Sequence, residues 1–584
     1  MRKFTSVIVL MMLVTPMINC GKDKPPKPTM YSVSFNANGG SPTPTTQSRE
    51  LGQTVSEPTA PARNGYDFDA WYTDNNTFVN KVTFPYTVMQ SITLFAKWIE
   101  WPIPTYEEAV KFPTWIDGSA TVNFTNLKSN TIYLAKVNTS NYQIDSDLTG
   151  GVSGVFKSEP NTIQSFGLED NPIPEWLKEV NKSWENTHPK RDDVVRTKAF
   201  TPPKIGDSKM FWTYDGKTQT MSQVQSRATL RAIGKYSNVW IMDENYDMRT
   251  NECIGTVSGY SCKTNSAKAQ EAADWFDKIY PVQTNLLGYE YGGGPNGDGG
   301  VDGDPKIQIL VFDIQGAGGY FNPVDWLPAS QYKMSNEAEI FYIHTNSLVY
   351  NNNLSYSAAY VLIHEFQHMI HYNQKVIRKS LYSPTWYNEL LSVMAEEVME
   401  TSIGIPSRTR QNNYMSSVMS DYHKEGLSEW TGELSYRKAF GFAAYLTRNY
   451  GGGGLLRNIM LSDYTSTQSI TDGLNEYHPG MTFHDALTKY GEALIFSGTR
   501  TPNDVASFDK SAAYDFNDIE YSVYGIDIWR TYGGPSILNL SRTTMAPLAI
   551  SLHSVNEWKN KNGDLSITLD QPEDESIIMY LMVK

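Results

Sequence analysis

The sequence predicts a multi-domain α+β protein, in which a mixed α and β region is flanked by β-rich segments. The chain has 584 residues, which suits three to five domains of roughly 100–200 residues each. Alternating apolar and polar residues, typical of strands, mark both ends of the chain. Helical periodicity is concentrated in the middle, at 356–376, 385–401 and 437–449.

The composition favours an exported globular protein over a nucleic-acid-binding one. Apolar residues make up 40% of the chain and aromatic residues 12%, which is enough for packed cores. The formal net charge is −14, and the sequence contains no long run of Lys or Arg. Because phosphate binding needs dense positive charge, we expect no nucleic-acid partner.

The first residues predict an export signal. Arg2 and Lys3 precede an apolar run at 7–14 that is too short to span a bilayer. Cys20 ends this segment, so residues 1–20 resemble a lipoprotein-type signal peptide, and lipid on Cys20 would attach the chain to a membrane. Asn19 departs from the usual small residue, and ordinary cleavage with release is the alternative. Residues 21–30, rich in Pro and Lys, predict a stiff tether.

Residues 31–98 predict a self-contained β module. They contain Phe-x-x-Asn-Gly-Gly, Gly-Tyr-x-Phe-x-Ala-Trp-Tyr and Thr-Leu-Phe-Ala-x-Trp in this order. This pattern resembles the internalin B-repeat of bacterial surface proteins, with Ala70 in place of the usual Gly and Phe95 in place of the usual Tyr. The resemblance implies a spacer or adhesive module without catalytic activity.

The remaining segments divide by pattern. Residues 99–205 alternate in a way that predicts a β-sandwich-like domain, and residues 501–584 predict a C-terminal β domain. Residues 206–500 mix strand candidates such as 239–242 and 307–312 with the helical patterns. Within them, Cys253 and Cys262 are expected to pair, because two cysteines left in an exported chain more often form a disulfide than stay free.

An Asp/Gly loop at 295–304 is a candidate site for a bound cation. Asp298, Asp302 and Asp304 are separated by glycines, and a flexible carboxylate loop suits Ca²⁺. The loop lacks the spacing of an EF-hand and its terminal Glu. A polar turn before the strand at 307 is the favoured interpretation, with calcium as the alternative.

The catalytic prediction begins with His364-Glu365-Phe366-Gln367-His368. On a helix, residues four apart share a face, so His364 and His368 would bind one ion between them. Glu365 lies beside them, where a carboxylate can accept a proton from a water on that ion. Zinc lowers the pKa of such a water toward about 7.

Two residues compete for the third ligand position. A metzincin would need Gly at 371 and His at 374, but the chain has His371 and Gln374, so that class is excluded. His371 lies one turn further along the same face, where three turns of a straight helix do not converge on one ion. Glu389 follows Pro384 on the next helical segment, which could return to the site.

The two segments together resemble gluzincins, the class typified by thermolysin. His364-Glu365-x-x-His368 is followed by Asn388-Glu389-x-x-Ser392, and the fuller strings are similar to the hyicolysin family, with Leu390 in place of the usual Gly. The resemblance implies a thermolysin-like catalytic domain at 206–500, zinc ligands His364, His368 and Glu389, and Glu365 as general base. Glu396, on the face of Glu389, is either a partner of a ligand His or a solvated carboxylate.

Two further features bear on catalysis. Tyr436 lies in a segment that resembles the Tyr-Glu-Lys-Gly segment of gluzincin aminopeptidases, which implies a donor to the reaction oxyanion, although Ala439 replaces the Gly. His423 is the competing donor. The strand at 339–344 is expected either to bind substrate as an edge strand, by fold analogy, or to be an ordinary core strand.

We therefore predict a secreted, surface-anchored zinc endopeptidase that acts on proteins or peptides. The alternative is a surface adhesin with an inactive peptidase-like domain, against which stands the presence of the base and three ligands. An aminopeptidase is a second rival. That class generally carries a Gly-x-Met-Glu-Asn type strand for the substrate amine, which this sequence does not contain.

Overall fold

A computed structural model describes residues 28–63, 65–144, 200–214, 223–254, 261–314, 316–349, 356–498, 501–540 and 544–584. The chain divides into two compact units, residues 1–103 and 104–584. The predicted signal peptide, Cys20 and most of the predicted tether lie outside the described residues, as does the later part of the predicted β-sandwich segment.

The N-terminal unit is built from strands. These are β1 (Met30–Asn36), β2 (Gln47–Glu50), β3 (Thr54–Val55), β4 (Tyr66–Tyr72), β5 (Tyr86–Thr87) and β6 (Ile92–Glu100). One sheet has the order β2-β1-β6-β4, with β1 parallel to β6, and β3 pairs with β5. Val33, Trp71 and Leu94 are fully buried in its core, as the alternation along these strands predicts.

The second unit contains the remaining strands. They are β7 (Val110–Lys111), β8 (Ser119–Asn130), β9 (Ile132–Asn138), β10 (Ser208–Tyr214), β11 (Gln223–Ile233), β12 (Ser237–Met242), β13 (Glu252–Ile254), β14 (Ser261–Lys263), β15 (Ile307–Phe312), β16 (Gly319–Phe321), β17 (Ile340–His344), β18 (Ala512–Phe516), β19 (Ile519–Val523), β20 (Ile550–His553), β21 (Lys561–Asp570) and β22 (Ile577–Val583).

Its helices follow the same chain order. They are α1 (Tyr106–Ala109), α2 (Ser266–Leu287), α3 (Thr345–Val349), α4 (Ser357–His371), α5 (Thr385–Val398), α6 (Thr409–Asp421), α7 (Glu433–Asn449), α8 (Gly453–Leu461), α9 (Ser466–Tyr477), α10 (Phe483–Ile495) and α11 (Ile528–Tyr532). A π-helical turn at Tyr372–Ile377 continues α4. The helical periodicity of the sequence thus predicts α4, α5 and α7 to within a few residues.

A mixed sheet supports the helices. Its order is β10-β11-β12-β15-β17-β16, with β12, β15 and β17 parallel to one another. Every residue of β12 and β15 is buried, which is typical of parallel strands inside a sheet. α2 packs between this sheet and α4, and α5 packs against both α4 and α7. The mixed helix and strand character predicted for this region is confirmed.

The β-rich segments at the two ends of the second unit share sheets. β9 lies between β20 and β22 in the order β20-β9-β22-β7, and β8 pairs with β21. The sequence places these strands in separate β domains at 99–205 and 501–584. In the described residues, each segment supplies strands that complete the hydrogen-bond ladders of the other, which leaves fewer open edges.

The hairpin of β13 and β14 carries the predicted disulfide. Cys253 and Cys262 are directly opposite one another in the ladder and are bonded through sulfur. Their pairing, expected from the cysteine content, is confirmed. No helix of the described residues is long and apolar enough to cross a membrane.

Candidate metal centre

The facing helices α4 and α5 bring together two imidazoles and a carboxylate. One nitrogen each from His364 and His368 and one oxygen from Glu389 lie within 4.8 Å of one another. Glu389 Oε2 is 2.9 Å from His364 Nε2 and 3.5 Å from His368 Nε2. At zinc–ligand distances of roughly 2.0–2.2 Å, tetrahedral ligand atoms lie about 3.4 Å apart. The donor set and its spacing therefore fit a zinc ion.

Apolar burial explains how the two helices present these groups. On α4, Leu362, Phe366 and Met369 are fully buried, and this stripe leaves His364 and His368 on the face toward α5. α5 begins directly after Pro384, whose extended backbone ends the preceding segment. Nearly all of α5 is buried, so Glu389 points inward to the two imidazoles instead of into solvent.

Each imidazole is held through its second nitrogen. His364 Nδ1 is 2.7 Å from Glu396 Oε1, and His368 Nδ1 is 3.2 Å from Ser392 Oγ. Ser392 also contacts Gln367 Oε1 at 2.5 Å. Such contacts fix the orientation and tautomer of a ligating His. Of the two interpretations of Glu396 that the sequence leaves open, the structure shows the contact with His364.

The charges at this cluster favour a cation. Burial alone would raise the pKa of Glu389, but His368 and His364 lower it to about 2. Burial lowers the pKa of His368. For His364, burial acts against the charged form, yet the hydrogen bonds to Glu389 and Glu396 hold its pKa well above the usual range. Positive charge therefore stabilises the buried carboxylates, and a metal ion bound between these groups would supply it.

Glu365 lies beside the cluster with a free oxygen. The residue is 5% exposed, and its Oε2 has no hydrogen-bond partner among the described residues. Burial raises the pKa of this carboxyl to about 8, with Glu389 and Glu396 acting in the same direction against His364. A buried carboxylate oxygen without a partner costs free energy unless water or a ligand contacts it. This atom is a second observation that fits a metal with an attached water.

Tyr436 also reaches the cluster. Its ring centroid is 6.0 Å from that of His364, and Trp430 packs edge-on against it at 4.8 Å. Burial, followed by the charge of Glu389, raises the pKa of the Tyr436 hydroxyl well above its usual range, so the hydroxyl remains protonated. His423, the competing donor, packs against Tyr422 at the end of α6 and is absent from the metal-ligand groups of the described residues.

The remaining sequence candidates lie elsewhere or bind other partners. His371 Nε2 is 2.9 Å from Ser383 Oγ, and its ring packs against Tyr387, as expected for a residue outside the ligand set. A second group of metal-ligating types, Cys262 with Asp313 and His344, lies within 4.8 Å, but the Cys262 sulfur is bonded to Cys253.

The Asp/Gly loop at 295–304, for which calcium was the alternative interpretation, does not form a metal-ligand group in the described residues. Asp298, Asp302 and Asp304 each accept a backbone N–H from the residue two positions on. Asp304 also accepts hydrogen bonds from Asn238 and Gln308. These are the local turn contacts typical of Asp in loops, so the structure gives no support for calcium there.

The strand at 339–344 is an internal strand of the sheet. β17 pairs with β15 on one side and with β16 on the other, so the edge-strand alternative is wrong for it and the core-strand alternative holds. The edge strand next to β17 is β16, at Gly319–Phe321, which is antiparallel to it; β10 forms the other edge. β16 is too short, and too close to glycines, for strand alternation in the sequence to reveal it.

Several residues contact the site although the sequence predicts no role for them. Ser392 was visible only as part of the Asn-Glu-x-x-Ser pattern, and its contact with His368 was not predicted. Gln367 contacts Ser392 from the neighbouring turn of α4. Gly319 gave no signal at all, although a β-carbon at this position would lie 2.8 Å from Glu365 Oε1.

Comparison with known proteins gives one match to the N-terminal unit and one match that covers more than half of the chain. A Listeria-Bacteroides repeat is present at residues 31–97. The chain is 26% identical over 362 residues to the neutral metalloprotease ShpI of Staphylococcus hyicus, covering 59% of this chain and 73% of that protein. This similarity supports a metalloprotease family, and with it a peptidase type of hydrolase.

A second relative matches a short stretch. The chain is 38% identical over 69 residues, 12% of its length, to a protein described as a Gly-rich membrane protein of Evansella cellulosilytica. The match covers 8% of that protein, so it carries no argument about the activity of the whole chain.

Proposed function

We propose that this protein is a zinc endopeptidase of the gluzincin class and hyicolysin type, with a thermolysin-like catalytic domain. The carrying observation is the convergence of His364, His368 and Glu389 within 4.8 Å on two packed helices. The similarity to a neutral metalloprotease over 73% of that protein supports the same reaction class. Two imidazoles and one carboxylate leave an open position on zinc, which is typical of a catalytic site.

In the proposed reaction, side chains of the protein accept and deliver the protons. Zinc, when bound, lowers the pKa of a water ligand toward about 7 and polarises the substrate carbonyl. Glu365 accepts a proton at its free Oε2 and delivers it to the leaving amine. Because burial makes this carboxyl a stronger base than an exposed Glu, it suits proton transfer near neutral pH.

Tyr436 is proposed to stabilise the oxyanion that develops on the scissile carbonyl. Its hydroxyl is kept protonated by burial and by the nearby Glu389, so it donates instead of accepting. Trp430 packs edge-on against its ring and restrains it. A fixed donor in a site without bulk water stabilises developing charge more than the same donor in water.

The location and the organisation of the chain complete the proposal. The Cys253–Cys262 disulfide favours an oxidising compartment, and the sequence of residues 1–20 predicts export, with lipid on Cys20 as membrane anchor. The repeat at 31–97 would then act as a spacer between tether and catalytic domain. Its substrates would be extracytoplasmic proteins or peptides.

One observation favours a different class, a surface adhesin with an inactive peptidase-like domain. The repeat at 31–97 resembles surface modules, and such a module also suits adhesion. An inactive domain, however, would not need to keep Glu365 buried beside three potential ligands.

The test is hydrolysis of casein by the purified protein, with added zinc and with a chelator. We expect cleavage that the chelator abolishes and zinc restores. Glu365→Gln should lower the rate by about 10²–10⁴-fold, the usual contribution of a general base, while Glu433→Gln on the exposed start of α7 should not. Equal cleavage by Glu365→Gln, or no cleavage by the wild type with zinc, contradicts the proposal. A blocked peptide separates endopeptidase from aminopeptidase activity.

A further inference from the structure

We propose that Arg410 is a positioning residue of the metal centre, which acts through Glu396 on His364. The inference rests on the zinc site proposed above and assigns a role to a side chain that does not itself contact the three ligand atoms. Arg410 lies in the first turn of α6, whereas the three proposed ligands lie on α4 and α5. It therefore connects a third helix to the site.

Glu396 is shared between an imidazole and a guanidinium. Its Oε1 is 2.7 Å from His364 Nδ1, and its Oε2 forms an ion pair with Arg410 Nε. The Glu396 side chain is 1% exposed and that of Arg410 15% exposed. Each oxygen of the carboxylate therefore has its own partner, and the ion pair with Arg410 restrains the group that orients His364.

Arg410 is itself held in place from several sides. Its guanidinium lies 4.8 Å from the ring centre of Tyr360 and 4.1 Å from that of Tyr414, and it donates to the Tyr414 hydroxyl at 2.7 Å. The backbone N–H of Arg410 donates to Glu400, which also accepts the Tyr360 hydroxyl at 2.7 Å. Tyr360 is one turn before His364 on α4, so the arginine is attached to the helix that carries the two histidines.

The second buried arginine that faces α5 is already paired. Arg448, on α7, makes a two-pronged ion pair with Glu397. Without Arg410, Glu396 would be a buried carboxylate whose Oε2 has lost its ion pair, which is unfavourable and allows the group to rotate toward other donors. His364 would then lose the fixed orientation of its Nε2 toward Glu389.

A double-mutant cycle on zinc affinity tests this role. Zinc affinity of the purified protein is measured by competition with a chromophoric chelator for wild type, Arg410→Met, Glu396→Gln and the double variant. We expect Arg410→Met to weaken zinc binding by about 10–100-fold, as for other residues that orient a ligand. In the Glu396→Gln background the same change should have almost no further effect, since the two residues act in series.

Two control variants test whether a loss of zinc affinity comes from the position of Arg410, from its charge alone or from misfolding. Arg408→Met removes the same charge from an exposed residue two positions away and should leave zinc affinity unchanged. Arg410→Lys keeps the charge without the planar fork, so a partial loss is expected even if Arg410→Met fails to fold. Visible absorption of the Co²⁺-loaded forms reports the ligand geometry directly. We expect the spectrum to change in Arg410→Met and to stay as in the wild type in Arg408→Met.

The outcomes are distinct from those of the proposed function. If wild type binds one zinc and His364→Ala does not, the site itself stands whatever Arg410 does. Given that site, wild-type zinc affinity and an unchanged Co²⁺ spectrum in both Arg410 variants would overturn the positioning role. Additive losses in the cycle would overturn it as well, because they would mean that Arg410 stabilises the domain independently of Glu396.

Discussion

Gly319 lies directly against Glu365. A β-carbon at position 319 would be 2.8 Å from Glu365 Oε1 and 2.7 Å from the carbonyl oxygen of Tyr342, closer than side chains normally approach. Gly319 begins β16, one of the two edge strands of the sheet, and Glu365 lies on α4. The glycine therefore allows this edge of the sheet to lie closer to the proposed base than a residue with a side chain would.

Gly319→Ala is expected to displace Glu365. The added methyl must push away either the strand or the carboxylate, so we expect kcat/KM on casein peptides to fall by about 10-fold or more, as for small misplacements of catalytic groups. Gly318→Ala is the matched control, because its β-carbon would meet only Val361 at an ordinary 3.4 Å. Equal activity of both variants would show that the close contact has no role.

Tyr436→Phe tests the proposed oxyanion donor. The change removes only the hydroxyl, so we expect kcat to fall by about 10²–10³-fold with little change in KM, as for other single donors to an oxyanion. Zinc content should stay at the wild-type level. Tyr464→Phe, at a tyrosine that is 50% exposed, should be silent. A drop in zinc content instead of kcat would mean that Tyr436 supports the ligands and not the reaction.

Glu389→Gln tests the third ligand. A neutral amide replaces the carboxylate that contacts both imidazoles, so we expect the purified variant to lose most of its zinc at equilibrium with a chelator. Metal analysis of the dialysed protein measures this directly. Glu476→Gln at an exposed position of α9 controls for the loss of one charge. Full zinc occupancy in Glu389→Gln would argue for a different third ligand.

His553 predicts acid sensitivity of the second unit. The side chain is fully buried, with Nδ1 donating to Asn539 O and Nε2 accepting from Ser551, and burial lowers its pKa to about 3. The unfolded chain binds a proton below about pH 6.5, whereas the folded chain does not until about pH 3. This contribution to stability is therefore complete above pH 6.5 and is lost as the pH falls.

Urea denaturation at pH 7 and pH 5 measures the effect. We expect the decline in the free energy of unfolding between these pH values to be smaller in His553→Gln than in wild type by about 2 kcal/mol. His478→Gln, at an exposed histidine, should decline as wild type does. The same decline in all three proteins would exclude His553 as a source of acid sensitivity.

Arg448 and Glu397 form a buried ion pair, with side chains 1% and 3% exposed. Arg448→Met leaves Glu397 without its partner and frees the carbonyl of Tyr524, so we expect a loss of about 3–5 kcal/mol in the free energy of unfolding. The double variant with Glu397→Leu should recover much of it, because no unpaired charge remains. A double variant as unstable as the single one would contradict this account.

The residue types of the candidate site and their spacing could be predicted from local patterns in the sequence. His364, Glu365 and His368 can only be arranged as they are if their segment is helical, because a period of 3.6 residues places i and i+4 on one face. The apolar stripe predicted that helix, and the cysteine content predicted the disulfide. Such signals are local: they depend on residues close together in the chain, and they predicted α4, α5 and α7 to within a few residues.

The surroundings of this motif depend on how distant segments of the chain pack together. The contacts of Glu396 with His364, of Arg410 with Glu396 and of Gly319 with Glu365 join separate elements, and no periodicity in the sequence encodes which elements pack together. The same holds for the edge strand β16 and for the sheets that join β8 and β9 to β20, β21 and β22. Strand partners depend on long-range packing, whereas the zinc-type motif depends on one turn of helix.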